Sequence, residues 1–148
     1  MSQAAPSRRL GRPPAVDSAE TRAQILAAAR SAFAQRGYDA TTNKDIARAV
    51  GITTGAIYHY FTSKTELYAA VYGEVQDLVY TAFEAVVVAH GTFVERVSAV
   101  LDAAVAVNRQ DPSIAAFVVG VAGEVQRHPE LGPLVEPYRN RARLFLGR

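Results

Sequence analysis

The sequence predicts an all-α protein: a three-helix N-terminal domain joined by a long fourth helix to a C-terminal helical domain. Two observations predict it. Apolar residues recur at helical spacing in nearly every segment, with almost no strand-like alternation between turn residues. Capping boxes, glycines and prolines punctuate the chain at helix-length intervals.

The elements follow in order. Residues 1–16 combine Pro6, Gly11, Pro13 and Pro14 with three arginines and read as a flexible basic arm. Asp17 and Glu20 form a D-x-x-E variant of the capping box. Ile25, Leu26, Ala29, Ala32 and Phe33 then follow at helical spacing as far as Gly37, with Tyr38 placed to contact the helix end. Thr42, three residues before Asp45, opens a short helix over 43–50 that stops at Gly51. Ile46, Ala47 and Val50 share one face, and Lys44, Asp45 and Arg48 the other. A third helix is expected over Thr53 to Phe61. On it Thr54, Gly55, Tyr58 and His59 fall within a solvent-facing arc of about 140°, and Thr53, Ala56, Ile57, Tyr60 and Phe61 within the buried one.

Ser63-Lys64-Thr65-Glu66 is an S-x-x-E capping box opening the longest helix, Lys64 to Ala89. At 1.5 Å per residue it reaches about 39 Å, enough to connect a head to a body. Gly91 closes it. Thr92 to Glu95 is another capping box, and Asp111-Pro112 pairs a cap with a proline at the first helical position. His128-Pro129 ends that helix, and a last one starts between Pro133 and Pro137, with Pro137 either kinking it or marking its start. The division drawn is thus 1–16 arm, 17–65 head and 66–148 helical body.

Composition narrows the function. With 148 residues, 49% of them hydrophobic and 20% charged, the chain can bury about 68–70% of its unfolded surface without staples. The absence of cysteine excludes a disulfide framework, a thiolate zinc site and a cysteine nucleophile. No apolar run approaches the roughly 18 residues of a membrane span, and MSQAAPSRRLGRPP lacks a signal peptide's apolar stretch. A cytoplasmic location and no membrane partner are expected. The formal net charge of +2 hides an asymmetry: residues 1–65 hold nine basic and four acidic residues, and the remainder seven basic and ten acidic. A basic head suggests a polyanionic partner.

The informative stretch is Thr42 to Lys64, TNKDIARAVGITTGAIYHYFTSK. Ala47 is small where the next helix crosses, Gly51 supplies the turn, and Ile46, Val50, Ile52, Ile57 and Tyr60 fill the junction. This is a helix-turn-helix, and a convex helix of this width fits a major groove. Several residues are easier to explain with DNA than without it. Lys64 opposes the macrodipole in the first turn of its helix, a penalty that a phosphate would remove. Gly55 costs about 1 kcal/mol in a helix, and a bare backbone allows close approach; a tight turn entry is the alternative reading. Tyr58 lies beside Thr54 and away from Ile57 and Tyr60, which favours contact with DNA. His59 fits a phosphate contact or a solvated surface equally. Lys44 and Arg48 are like charges at i and i+4, a pairing that a polyanion would favour. In the arm, Arg8, Arg9 and Arg12 suit a minor groove, although a disordered basic tail has the same composition.

The stretch TNKDIARAVGITTGAIYHYFTSKTEL resembles the N-terminal domain of the TetR family of transcriptional repressors, and the likeness extends over about residues 18–72. The resemblance implies a homodimer that reads a double-stranded DNA operator and is released by a small-molecule effector bound in the helical body. By position it assigns Thr53, Thr54, Gly55, Tyr58 and His59 to the recognition helix, and Thr42, Lys44 and Lys64 to phosphate contacts. Family members continue through two further long helices that form the dimer interface, whereas this chain ends in mid-helix at Arg148. Two readings stay open: the chain is truncated there, or it is complete and lacks the family's dimer interface and one wall of an effector pocket.

The C-terminal half is more apolar than simple amphipathic helices need. Phe83, Phe93, Leu101, Phe117, Val121 and Tyr138 are candidate linings for a mostly apolar effector pocket, or plain core, and Glu124, Arg96 and Asn108 are its candidate polar anchors. Catalysis is not expected, and neither is a cofactor. His59, His90 and His128 are scattered with no triad or metal spacing, and no glycine-rich phosphate loop occurs. The alternative function is a helical protein–protein interaction module. Salt separates the two, because DNA affinity falls steeply with it.

Overall fold

A computed structural model describes residues 14–89 and 91–146. Their elements are α1 (Pro14–Arg36), α2 (Asn43–Val50), α3 (Thr54–Tyr58), α4 (Lys64–Val87), α5 (Phe93–Gln110), α6 (Pro112–Arg127), a 3-10 turn at Pro129–Leu131 and α7 (Gly132–Leu146). The all-helical expectation therefore holds across the described residues. None of the described helices is long and apolar enough to cross a membrane. Arg8, Arg9, Arg12 and His90 lie outside the described residues.

Local capping explains most boundaries. Thr42 and Asp45 form a reciprocal box at α2, and Thr92 and Glu95 form another at α5. Asp111 caps α6 by accepting from Ser113 N at 2.9 Å, with Pro112 at the first helical position. Two starts differ from expectation. α1 begins at Pro14, so Asp17 lies in its first turn and is not the cap; proline's fixed φ suits that first position. At α4, Ser63 Oγ accepts from Glu66 N at 3.1 Å, but the Glu66 carboxylate reaches one residue further back, to the backbone N–H and hydroxyl of Thr62. Pro137 lies inside α7, which already starts at Gly132.

The core is continuous across the boundary drawn after Thr65. Phe33 of α1 stands edge-on to Tyr68 of α4 at 4.9 Å, Tyr38 meets Tyr68 at 5.4 Å, and Phe117 of α6 meets Tyr68 at 5.0 Å. Ile25, Ile46, Ile57, Phe61, Leu67 and Val71 are buried around them. Head and body thus share one aromatic centre through α4 and α6. Further along α4 the packing changes partner. Tyr138 of α7 lies so close over Gly73 that a Cβ there would sit 2.5 Å from its ring, and Tyr80, Phe83 and Phe145 form a second aromatic cluster. α5 contributes no buried residue.

Candidate nucleic-acid interface

The head is built outward from the end of α1. Gly37 adopts φ 78°, a left-handed conformation that glycine takes without strain. The buried Thr41 hydroxyl is placed to donate to Gly37 O at 2.8 Å and to Ala32 O at 3.2 Å, both carbonyls of that helix end. Thr42 then caps α2: its Oγ1 accepts from Asp45 N at 3.1 Å and donates to Asp45 Oδ2 at 2.6 Å. These hydrogen bonds hold the Asp45 carboxyl below the usual carboxylate range. α2 buries Ile46 and Ala47 and leaves Lys44 and Arg48 exposed. Gly51, also at φ 78°, donates to Ala47 O and Arg48 O and turns the chain.

α3 is shorter than expected, Thr54–Tyr58, with Thr53 as its cap accepting from Ala56 N at 3.1 Å. His59, Tyr60 and Phe61 continue as hydrogen-bonded turn, with Tyr60 N and Phe61 N donating to Ile57 O. Ile57 and Phe61 are buried, while Gly55, Tyr58 and His59 are exposed, Tyr58 by 52%, and Thr54 is half-buried. Thr53 was expected on the buried arc but is exposed, because a cap residue lies outside the helix whose wheel was drawn. Gly55 has a negative φ, and a Cβ on it would meet only Thr53 Oγ1, at 3.9 Å. Neither turn geometry nor internal packing demands a glycine there.

Lys64 is placed differently from expectation. Its Nζ donates to Tyr38 O at 2.9 Å and to Thr41 O at 3.2 Å, and lies 4.2 Å from the centre of the Tyr38 ring. Two carbonyls of the α1–α2 turn therefore supply the negative partner that a phosphate was expected to provide. Lys64 fixes that turn, and with it the Thr42 cap, against the start of α4.

The expected pocket residues scatter. A groove of about 440 Å³ runs between the end of α4, the start of α5 and Phe145 of α7, lined by Val87, Phe93, Arg96, Val97, Val100 and Leu101 among others. Phe93 and Leu101 line it, at 80% and 62% exposure, and Phe83 packs beside it against Phe145. Phe117 and Val121 do not: at 2% and 4% exposure they fill the shared core, because α6 turns that face toward α1. Tyr138 covers Gly73 and meets Tyr72. Glu124 sits at the head, accepting from Tyr38 N at 3.2 Å; Asn108 is exposed away from the groove's lining, and Arg96 is on it. Among the described residues no group of three His, Cys, Asp or Glu could hold a metal ion.

Sequence reasoning passed over Arg30. It donates to Glu74 Oε2, Asp111 Oδ2 and Ser113 Oγ, joining α1 to α4 and to the start of α6. One signal was available: Arg30 lies inside the apolar stripe Ile25, Leu26, Ala29, Phe33.

A helix-turn-helix with its second helix bared, carried on an all-helical body, defines the class. Comparison with known proteins points the same way: residues 25–71, most of the head, match the model of the bacterial regulatory proteins of the tetR family. The HTH-type transcriptional regulator TtgR of Pseudomonas putida is 46% identical over 61 residues, which cover 41% of this chain and 29% of that protein. A TetR family transcription regulator from Marinobacter aquaeolei VT8 superposes with a TM-score of 0.78 at 20% identity, over 90% of this chain and 68% of the other. The transcriptional regulator FadR from Bacillus subtilis, solved in complex with stearoyl-CoA, superposes at 0.71 with 22% identity, over 84% and 66%. The match to TtgR thus spans under a third of that relative, and the two structures establish the fold.

Proposed function

We propose that this protein is a transcriptional repressor that binds a palindromic DNA operator as a homodimer and is released by a small, mostly apolar effector. The observation that carries the reading is the outward face of α3. Thr54, Gly55 and Tyr58 of α3 and His59 at its C-cap are bared together, while Ile57 of the helix and Phe61 just beyond it are locked into the core. One such helix in each of two successive major grooves, a turn of duplex apart, reads a two-fold site. Gly55 supports close approach, because nothing inside the chain uses its missing side chain. Thr42 and Lys44, exposed at the start of α2, suit phosphate contacts that fix register, and Arg8, Arg9 and Arg12 suit the minor groove. TtgR's description as an HTH-type regulator supports the same assignment.

The effector site of this reading lies in the body. FadR in complex with stearoyl-CoA shares this fold, and the groove at Phe93 and Leu101 is apolar. α4, at 24 residues about 36 Å long, connects that groove to the α1–α2 turn through Lys64. A shift of α4 changes the separation of two recognition helices and turns fit into misfit.

The test is selection of bound duplexes from a random pool, which should return a palindrome. Tyr58→Ala should then abolish preference for the selected duplex while changing stability by no more than about 0.5 kcal/mol, as for a half-exposed side chain. Full retention of that preference overturns the assignment. A weak salt dependence of binding would instead favour a protein partner.

A further inference from the structure

Arg30, in the C-terminal half of α1 and only 8% exposed, sends its guanidinium to two other elements. Nη1 donates to Glu74 Oε2 of α4 at 2.8 Å, Nη2 to Asp111 Oδ2 at 2.7 Å, and Nε to Ser113 Oγ at 3.1 Å. Asp111 serves twice. Its other oxygen accepts from Ser113 N at 2.9 Å and from the Ser113 hydroxyl at 2.6 Å, capping α6. Those bonds, the Ser113 hydroxyl's foremost, hold its carboxyl below the ordinary range. One cation of the head thus fastens both α4 and the corner where α5 ends and α6 begins.

The far end of α6 is fastened to the same head. Glu124 Oε1 accepts from Tyr38 N at 3.2 Å and forms an ion pair within α6 with Arg127 at 2.9 Å. His128 packs its ring on Tyr38 at 4.7 Å, with Nε2 3.1 Å from Asp39 Oδ1. Between these ends Phe117 and Val121 pack into the core of α1. α6 is therefore held to α1 at both ends and along its length, although its place in the chain puts it in the body. α5 differs: it has no buried residue, walls the groove at one end, and terminates on Asp111 at the other.

We propose that Arg30 is a positioning residue for operator binding: its bond to Asp111 sets the angle between the head and α4, and couples α5 to that angle. This rests on the regulator reading above. A displacement of α5 draws Asp111 off the guanidinium, leaving Arg30 on Glu74 of α4 and Ser113 of α6, so α1 and α6 turn together against α4. The device is discrete, because a buried cation with an acceptor withdrawn is costly and does not relax gradually. It needs arginine. The planar fork meets three acceptors at once, whereas an ammonium on a flexible stem cannot match that geometry.

The experiment uses the full chain and a duplex selected by the unaltered protein. Arg30→Lys keeps the charge, and Asp111→Asn keeps an oxygen to cap α6 while removing the charge facing Arg30. Both variants should retain helicity, lose about tenfold or more in affinity for the duplex, and keep the slope of log K against log salt, since no phosphate contact is lost. Amide exchange should quicken together in 30–41 and 111–127. Val121→Ala, which weakens the core under the same helix, serves as the control for mere destabilisation: the affinity of its folded fraction should not change. Unchanged affinity in both clasp variants, a reduced salt slope, or an equal loss in Val121→Ala overturns the proposal. If the unaltered protein selects no duplex, the regulator reading falls and exchange alone decides. Joint quickening of 30–41 and 111–127 then keeps the clasp, and quickening confined to the corner at 111 overturns it.

Discussion

Gly55→Ala separates folding from binding at a single atom. The added Cβ would meet only Thr53 Oγ1, at 3.9 Å, an ordinary contact, and the backbone φ there is negative. Replacing glycine at such a site narrows the unfolded ensemble and stabilises by about 0.4–1 kcal/mol. For a chain of 148 residues the unfolding entropy is about 0.3 kcal/mol/K, so the melting temperature should rise by about 1–3 °C. Binding should move the other way. A methyl group intruding on a close-packed surface costs about 1–3 kcal/mol, or roughly fivefold to 150-fold in affinity. Thermal melts followed by circular dichroism and fluorescence anisotropy with the selected duplex measure the two effects independently. A raised melting temperature with undiminished affinity would show that α3 does not approach DNA at Gly55, and would remove that support for groove insertion.

Three further outcomes are expected. Lys64→Ala removes two hydrogen bonds from a cation and its contact with the Tyr38 ring, so chemical denaturation should report a loss of about 2–4 kcal/mol; a variant of unchanged stability whose salt slope drops by about one would return Lys64 to the phosphate contacts. Phe117→Ala empties a buried site against Phe33 and Tyr68 and should cost about 3–5 kcal/mol, with both head and body signals melting together; a loss under 1 kcal/mol contradicts the shared core. Acid should also destabilise the fold. Asp45, Glu66 and Asp111 are depressed, first of all by the hydroxyls of Thr42, Thr62 and Ser113, so their contribution is complete above the ordinary carboxylate pKa of about 4 and is lost as pH falls through the lower folded values. A pH titration of urea midpoints should therefore decline below about pH 4, and less steeply in Asp111→Asn.

What could be read from residues alone was local. The Thr42–Asp45 box, the Gly51 turn and the Asp111-Pro112 start involve neighbours within three positions, so letters and spacing sufficed. The exposed face of α3 followed from helical periodicity. The misplacements have a common cause, partners distant in sequence. Lys64 bonds to carbonyls 26 and 23 residues upstream, groups that every residue type carries and no pattern distinguishes. Arg30 meets acids 44 and 81 residues away, and the sequence leaves Phe117 and Val121 open between pocket and core, because an apolar stripe does not name its partner. The division after Thr65 failed to anticipate that α6 returns to α1. The shift of Glu66 from box to Thr62 turns on a single residue of reach.

The bareness of α5 has an energetic corollary. Opening free energies across a protein follow the apolar contact each segment would surrender, and this helix has no fully enclosed side chain to surrender. It therefore sits at the shallow end of the molecule's stability gradient, next to an aromatic centre at the steep end. Melting of α5 alone would surrender no fully buried side chain, whereas α2, α3 and α4 each bury residues of their own.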